Sequence, residues 1–254
     1  MCEMASVPVQ EFRIGSVIGQ SLSVLAKNFV PFAILYLGIN APSAIYALTQ
    51  AGKPGSDEDT GVGSLTIAEN FLGLIVAAAV TYAAVQELRG RHVSFGEFFG
   101  RGLAQSGAVI RVAILSGILL LLALIALIVP FFICYAMWWV AIPVAVIERP
   151  GAIASLQRSA ELTRGRRWQV FGLISCFFFA LVAALLLFAV LLLAVVFLVA
   201  GANQTLLDQA SALATWLLSA LFMAVQAVLT AVSYYYLRVA NEGVGIEDIA
   251  AVFD

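Results

Sequence analysis

The run of residues 112–147 contains no charged side chain, and it constrains the fold more than any other part of the chain. A helix needs about 20 apolar residues to cross a membrane, because each residue adds about 1.5 Å to a hydrocarbon path of roughly 30 Å. The run is therefore too long for one crossing and slightly short for two. It lies between Arg111 and Arg149, which are the nearest members of two groups of arginines.

The arginines on both sides decide between one crossing and two. Short loops rich in Lys and Arg stay on the cytoplasmic side of a membrane, so both ends of the run are expected there. The run must then enter the membrane and return. We predict its turn near Pro130, because proline lacks the backbone donor that a continuing helix needs.

Composition leads to the same class of protein. The chain is 63% hydrophobic and 11% charged, with a mean hydropathy of +1.03, whereas a soluble domain has about 25% charged residues. A water-soluble fold this poor in charge could not cover its surface. We therefore predict an all-α polytopic membrane protein. The three cysteines and one histidine have no disulfide or metal-site spacing, and no metal or cofactor is expected.

Apolar tracts elsewhere complete a prediction of six transmembrane helices arranged as three hairpins. The other tracts cover residues 29–48, 67–88, 171–200 and 213–237, and the last pair turns at about residues 201–208. With both termini cytoplasmic, all of the 13 Lys and Arg residues except Lys53 fall on the cytoplasmic side. Lys53 lies in the opposite loop, beside the acidic residues Asp57, Glu58 and Asp59.

A threefold pattern is predicted within this single domain, residues 1–254. Each unit has a cytoplasmic amphipathic helix in the membrane plane, followed by a hairpin. The units cover about residues 11–88, 93–147 and 150–240, before a tail at 241–254. The apolar faces recur at helical spacing in Ile14, Val17, Ile18, Leu22 and Leu25, then in Phe95, Phe98, Phe99 and Leu103, and finally in Ile153, Leu156, Ala160 and Thr163. Ser94 and Glu97 fit a capping box. Unrelated amphipathic connectors are the alternative.

The most polar stretch near the spans is residues 156–168, LQRSAELTRGRRW. Arginines beside a membrane-spanning helix attract anionic lipid headgroups, and Trp prefers the membrane interface. The candidate contacts with anionic lipid or a protein partner are Arg158, Arg164, Arg166, Arg167 and Trp168, together with Arg89, Arg91 and Arg101 on an earlier loop. A collar for lipid headgroups is favoured over a site for a phosphate-bearing ligand, and catalysis comes last.

The same region resembles a pattern in bacterial inner-membrane proteins. The matching residues are Glu148-Arg149-Pro150-Gly151, Leu156, Arg158-Ser159, Leu162-Thr163, Gly165 and Trp168, with support from Val129-Pro130, Leu88-Arg89-Gly90-Arg91, Leu237-Arg238 and Glu242-Gly243. The family includes the membrane domain that accompanies some glycerophosphoryl diester phosphodiesterases, and related uncharacterised integral membrane proteins. Phe131 stands where that family often has glycine.

The resemblance implies a stand-alone membrane part in the bacterial inner membrane. The family's hydrolase is a soluble barrel with histidine and carboxylate metal ligands, and this chain has one histidine, so phosphodiesterase activity is not expected. The residues Glu148, Gly151, Ser159, Thr163 and Gly165 are expected to be structural. Glu148 is expected to cap the following helix or to pair with one of its arginines.

Polar groups inside the predicted spans are few. No charged residue or histidine lies near the middle of a span, where such a group usually marks an ion path. A single hydrogen bond between helices would explain Gln226 or Thr81. Small residues such as Ala79 would let helices pack closely, and Tyr234, Tyr235 and Tyr236 are expected in an interfacial belt.

Three classes of function remain open at this point. The favoured one is a non-enzymatic membrane protein that organises lipid or partner proteins at the cytoplasmic face. The alternative is a transporter or channel for an apolar or lipid-like solute, which a polar-lined cavity would favour. A membrane enzyme acting on a lipid headgroup is the least favoured. Anionic lipids are the expected partners, with a protein partner or a homo-oligomer as further candidates and no nucleic acid.

Overall fold

The computed structural model describes residues 12–50, 58–198 and 204–242. Within those ranges the chain forms ten α-helices and no strand. They are α1 (Ile14–Lys27), α2 (Phe29–Ile39), α3 (Ala41–Gln50), α4 (Glu58–Leu88), α5 (Phe95–Ala126), α6 (Ile128–Met137), α7 (Ala141–Ile147), α8 (Ala152–Leu162), α9 (Arg167–Leu198) and α10 (Gln204–Glu242). The tail from residue 243, the loop position Lys53 and the first part of the predicted turn at 201–208 lie outside the described residues.

Several helices are long and apolar enough to cross a membrane. Five stretches meet this criterion: Leu65–Leu88, Phe95–Ala126, Val129–Ile147, Arg167–Leu191 and Gln209–Glu242. A sixth results if α1 and α2, which meet at an angle of 82°, count as one span. The all-helical class and the five to six candidate spans agree with the sequence-based prediction.

Prolines explain where the apolar helices break. Pro31, Pro130 and Pro143 each lie at the third position of a helix, and Pro42 lies at the second. A proline ring clashes with the carbonyl group four residues earlier, but it is tolerated in the first turn, where the N–H has no partner within the helix. The preceding helix therefore ends just before each proline, and a new helix starts in a different direction.

Two predicted spans differ in detail for this reason. The predicted span 29–48 is divided at Asn40, two residues before Pro42, and the Asn40 side chain donates to the carbonyl oxygen of Tyr36 at 2.7 Å. Near Pro130, where a hairpin turn is predicted, the structure has a helix break at Leu127, whose backbone is extended (φ −175°, ψ 151°). Pro130 itself belongs to the first turn of α6.

The prediction of a separate amphipathic helix at residues 95–103 is wrong. These residues form the first turns of α5, which continues without a break to Ala126. Gly102 packs directly on α4, and a Cβ atom at this position would lie 2.5 Å from the Cβ of Ala79. Close packing along α4 therefore holds this segment in line with the rest of α5. Ser94 does precede the helix, but its side chain makes no capping hydrogen bond.

One end of the bundle, which we call the basic end, gathers most of the arginines. It contains the ends of α4, α7 and α10, the starts of α5 and α9, and helices α1 and α8. Three contacts join these parts: Lys27 Nζ with Glu87 Oε1 at 3.3 Å, Arg149 Nε with Gln105 Oε1 at 3.1 Å, and Arg166 Nη1 with Asn241 Oδ1 at 2.8 Å. The placement of these basic residues on one side of a membrane stays a prediction from the charge pattern of the sequence.

Candidate functional site

The backbone between α7 and α8 has an unusual conformation. Arg149 has a φ of 55° and Gly151 has a φ of 97°. A residue with a side chain rarely adopts a positive φ, because this backbone conformation costs on the order of 1 kcal/mol or more, whereas glycine adopts it freely. Gln105 on α5 accepts hydrogen bonds from Nε and Nη2 of Arg149 at 3.1 and 3.2 Å, which stabilises the arginine in this position. Gly151 then starts α8, and Gly165 (φ 81°) lies between α8 and α9.

Five side chains form a closed ring of hydrogen bonds, which we call the clasp: Glu148, Arg158, Glu242, Arg238 and Tyr234. Arg158 donates from Nε to Glu148 Oε2 at 2.9 Å and from Nη2 to Glu242 Oε1. Arg238 donates from Nε to Glu242 Oε2 at 3.0 Å and from Nη1 to the Tyr234 hydroxyl at 3.3 Å. Tyr234 donates to Glu148 Oε1 at 2.9 Å and closes the ring.

The clasp joins three helices and balances its own charge. Two arginines face two glutamates, and their side chains are only 19–28% exposed. Charge-assisted hydrogen bonds of this kind are stronger than those between neutral groups. The expectation that Glu148 pairs with an arginine of the following helix is confirmed. Arg158 thereby links α8 to Glu148 at the end of α7 and to Glu242 at the end of α10.

Hydroxyl groups on α8 complete its attachment to the bundle. Ser159 donates to the carbonyl oxygen of Met137 at 2.9 Å, and the Thr163 hydroxyl, whose nearest acceptor is the carbonyl oxygen of Ser159 at 2.9 Å, lies 3.3 Å from the same Met137 oxygen. Met137 ends α6, where the last carbonyl groups of a helix have no partner within the helix. At the same C-terminal end of α8, Asn241 Nδ2 donates to the carbonyl oxygen of Leu162 at 2.7 Å. Ser159 and Asn241 therefore donate hydrogen bonds to the last carbonyl groups of α6 and α8, which have no partner within their own helices.

The other candidate residues for lipid or partner contact are either exposed or hydrogen-bonded within the protein. Arg164, Arg167 and Trp168 are exposed where α9 begins, and Trp168 is 85% exposed. Arg89, Arg91 and Arg101 are exposed around the loop between α4 and α5, and the Arg101 guanidinium lies 5.9 Å from the centre of the Tyr82 ring. Arg166 differs, because it donates to Asn241 and to the carbonyl oxygen of Ala240.

A half-open cavity of about 360 Å³ lies between α2, α4, α5, α6, α7 and α10. Its neutral hydrogen-bonding side chains come from three helices: Asn70 and Thr81, Ser116, and Gln226 and Thr230. Its aromatic walls are Tyr36, Tyr135, Trp138 and Trp139. None of the described residues that line the cavity is charged. Within the same described ranges, no three His, Cys, Asp or Glu side chains are grouped as a metal site requires.

Two sequence-based expectations about polar residues are wrong here. Thr81 has no exposed surface, yet its hydroxyl has no hydrogen-bond partner, so an interhelical hydrogen bond does not explain it. Tyr234 is buried and belongs to the clasp, because α10 turns this side chain inward and not toward an interfacial belt. No sequence signal indicates that Asn70, Ser116 and Thr230 converge, since they are far apart along the chain.

Comparison with known proteins identifies a family whose model matches most of the chain. Residues 61–237 match a family model described as a domain of unknown function, DUF7847. The chain belongs to this family. The matched region of this DUF7847 member runs from α4 to Leu237, so it contains Glu148, Arg158 and Tyr234 of the clasp. No curated protein and no solved structure matches the chain. The resemblance to membrane domains associated with glycerophosphoryl diester phosphodiesterases stays a prediction.

Proposed function

We propose that the protein is a non-enzymatic, multi-pass protein of the bacterial inner membrane whose basic end binds anionic lipid headgroups at the cytoplasmic face. Its topology would be three hairpins, formed by α2 and α3 with α4, by α5 with α6 and α7, and by α9 with α10. Both termini are then cytoplasmic. Helices α1 and α8 lie along the cytoplasmic surface, one at each side of the bundle's basic end.

The observation that carries this proposal is the exposed group at the start of α9. Arg164 lies three residues before the long apolar helix α9, and Arg167 and Trp168 are the first two residues of that helix. A tryptophan with an apolar ring and one N–H group is suited to the headgroup level, and so are arginines beside it. Among the residues that the structure describes, no hydrogen bond or ion pair holds the side chains of Arg164, Arg167 or Trp168, whereas those of Arg158 and Arg166 are held by Glu148 and Asn241.

The packing of the two short helices supports the same orientation. Val17 and Val24 of α1 are buried, and Ile14 packs against Gly172 near the start of α9. Helix α8 buries Leu156 and Leu162. Both helices therefore cover the basic end of the bundle and leave their polar sides facing away from it. In a membrane, that polar side would meet headgroups and cytoplasm.

Lipid retention by the purified protein tests the proposal. Each basic residue near an anionic surface contributes about 1 kcal/mol, so Arg164→Gln with Arg167→Gln should weaken phosphatidylglycerol binding by about 2 kcal/mol, roughly 30-fold in Kd. Native mass spectrometry in a mixture of phosphatidylglycerol and phosphatidylcholine measures the bound lipid. The matched control, Arg164→Lys with Arg167→Lys, keeps the charge and should retain most of the binding. Equal retention by the glutamine and lysine variants would contradict the proposal.

A second candidate function is movement of an uncharged solute across the membrane. The cavity favours it, because a half-open space lined by uncharged side chains is left unfilled among closely packed apolar helices. Uptake of a neutral solute such as glycerol into proteoliposomes tests it. Uptake equal to that of empty liposomes would exclude this candidate for glycerol-sized solutes and leave the lipid proposal unaffected.

A further inference from the structure

Gln226 places a carboxamide in the middle of α10. It lies near the centre of the candidate span Gln209–Glu242 and twelve residues before Arg238, or about 18 Å from it along the helix. A polar side chain at such a position usually bonds to a neighbouring helix. In the part of the chain that the structure describes, no side chain or backbone group bonds to this amide. Its capacity to donate and accept hydrogen bonds is therefore unused.

The Gln226 side chain borders the half-open cavity and can be reached from it. The residue is half-buried and lines the cavity, and its amide atoms keep accessible surface, whereas the Thr81 hydroxyl is fully enclosed. Three other polar residues of the lining, Asn70, Ser116 and Thr230, each donate to a carbonyl oxygen of their own helix. Gln226 is thus the accessible amide of the lining whose donor is still free for an occupant.

Most of the remaining wall is apolar. Aromatic rings and aliphatic side chains form it: Tyr36, Tyr135, Trp138 and Trp139, with Leu74, Leu120, Ile142 and Met223. None of the described residues in this wall carries a charge. A charged molecule would lose its hydration here without gaining an opposite charge, and a molecule with many hydroxyl groups would turn most of them toward apolar surface. The wall therefore favours an uncharged, mostly apolar body with few polar groups.

The dimensions of the cavity limit the occupant further. Apart from the enclosed Thr81, its lining runs from Asn70 to Ala77 on α4 and from Met223 to Thr230 on α10, which is about 10 Å along each helix. The volume of about 360 Å³ then corresponds to a mean cross-section of roughly 35 Å², or a width of about 7 Å. Small-molecule sites start at about 300 Å³. The space accepts one ring or one hydrocarbon chain at a time.

We propose that this cavity binds one uncharged, mostly apolar molecule that carries a carbonyl, amide or hydroxyl group, with the Gln226 carboxamide as its polar contact. A carboxamide both donates and accepts hydrogen bonds, so it suits each of these groups. The apolar body is a single ring or a single hydrocarbon chain, since the two share this chemistry. The site is separate from the arginines of the basic end, and binding does not require transport. Failure of either function proposal would leave this inference in place.

Quenching of the cavity tryptophans tests the proposal. Trp168 and Trp216 are replaced by phenylalanine in the full chain, so that the fluorescence comes from Trp138 and Trp139, which both line the cavity. The protein is placed in nanodiscs and titrated with probes whose bromine atom quenches tryptophan on contact. The ring probe is 4-bromobenzamide, and the chain probe is 6-bromohexanamide. Bromobenzene and 1-bromohexane lack the polar group, and 4-bromobenzoate is charged.

The probes are compared at equal concentration in the bilayer. At least one amide should quench saturably, with a Kd at least about threefold lower than that of its counterpart without the polar group, which is the value of one hydrogen bond. The charged 4-bromobenzoate should show no saturable quenching. Saturation by one amide alone identifies the body as a ring or as a chain. If neither amide saturates, or if 4-bromobenzoate binds as tightly as 4-bromobenzamide, the proposal is overturned.

The contact with Gln226 has its own matched variants. Gln226→Leu removes the carboxamide at similar volume, and it should raise the Kd of the amide about three- to tenfold while leaving the Kd of the probe without the polar group within about twofold. Thr230→Val lies on the same wall, and its hydroxyl already donates to the backbone, so it should change neither value. An equal loss of both kinds of probe in Gln226→Leu would indicate altered packing and overturn the assignment, and so would equal effects of the two variants.

Discussion

The replacement of Glu148 by glutamine gives the strongest test of how the basic end is built. Glu148 accepts from Arg158 Nε and from the Tyr234 hydroxyl, both at 2.9 Å. Each hydrogen bond to a charged group contributes about 1.5–3 kcal/mol. The side chains of Glu148 and Arg158 are 19% and 28% exposed, so solvent reduces the sum. We expect Glu148→Gln to destabilise the protein by about 3 kcal/mol, which for a chain of this size lowers Tm by roughly 10 °C.

Glu161 provides the matched control, because it lies beside the same arginine. Its side chain is 67% exposed, and its carboxylate is 3.8 Å from Arg158 Nη1. An exposed pair of this kind contributes about 0.5 kcal/mol, so Glu161→Gln should lower Tm by no more than about 2 °C. Both variants remove one negative charge. Thermal unfolding followed by fluorescence in one detergent measures both, and equal shifts in Tm would refute the reasoning.

Two further predictions concern the packing of α4. Gly102→Leu should destabilise the protein by about 2 kcal/mol or more, because the new side chain would overlap α4. Size-exclusion chromatography should then show less folded protein. Gly107→Leu is the control, since the space around Gly107 is open, and equal yields of the two variants would contradict the role of the contact between Gly102 and α4. Glu87→Gln should speed trypsin cleavage after Lys27, because the carboxylate pairs with that lysine at 3.3 Å. Glu97→Gln serves as its control, and unchanged cleavage of the Glu87 variant would contradict the role of this ion pair.

The helical class and the approximate spans could be predicted because they depend on local composition. A charge-free run flanked by arginines predicts a membrane hairpin without knowledge of any contact. The breaks within the apolar tracts are also local, since each lies beside a proline, but only the break near Pro130 was predicted. The same rule applied to Pro31, Pro42 and Pro143 would have located the other breaks.

The continuity of α5 could not be predicted, because it depends on a distant part of the chain. Its first turns are amphipathic, and the sequence pattern does not distinguish a helix on the membrane surface from one that packs along a neighbour. The contact between Gly102 and Ala79 shows that this segment packs along α4. Amphipathic periodicity reports which side is apolar, and it contains no information about what covers that side.

The candidate sites were predictable only in part for the same reason. Glu148 and an arginine ten residues later could be paired from sequence, because α8 follows Glu148 directly. The contribution of Tyr234, Arg238 and Glu242 required the fold, since α10 returns to α8 from far along the chain. The cavity required it as well, because its polar side chains are unremarkable within their own helices.

The central claim is that the basic end faces the cytoplasm, and labelling of two single cysteines in intact cells tests it most directly. Thr49→Cys, at the end of α3, and Arg164→Cys, before α9, are made in a chain without its native cysteines and treated with a membrane-impermeant maleimide. We expect Thr49→Cys to react in intact cells and Arg164→Cys to react only after the membrane is permeabilised. Reaction of Arg164→Cys in intact cells would contradict the claim.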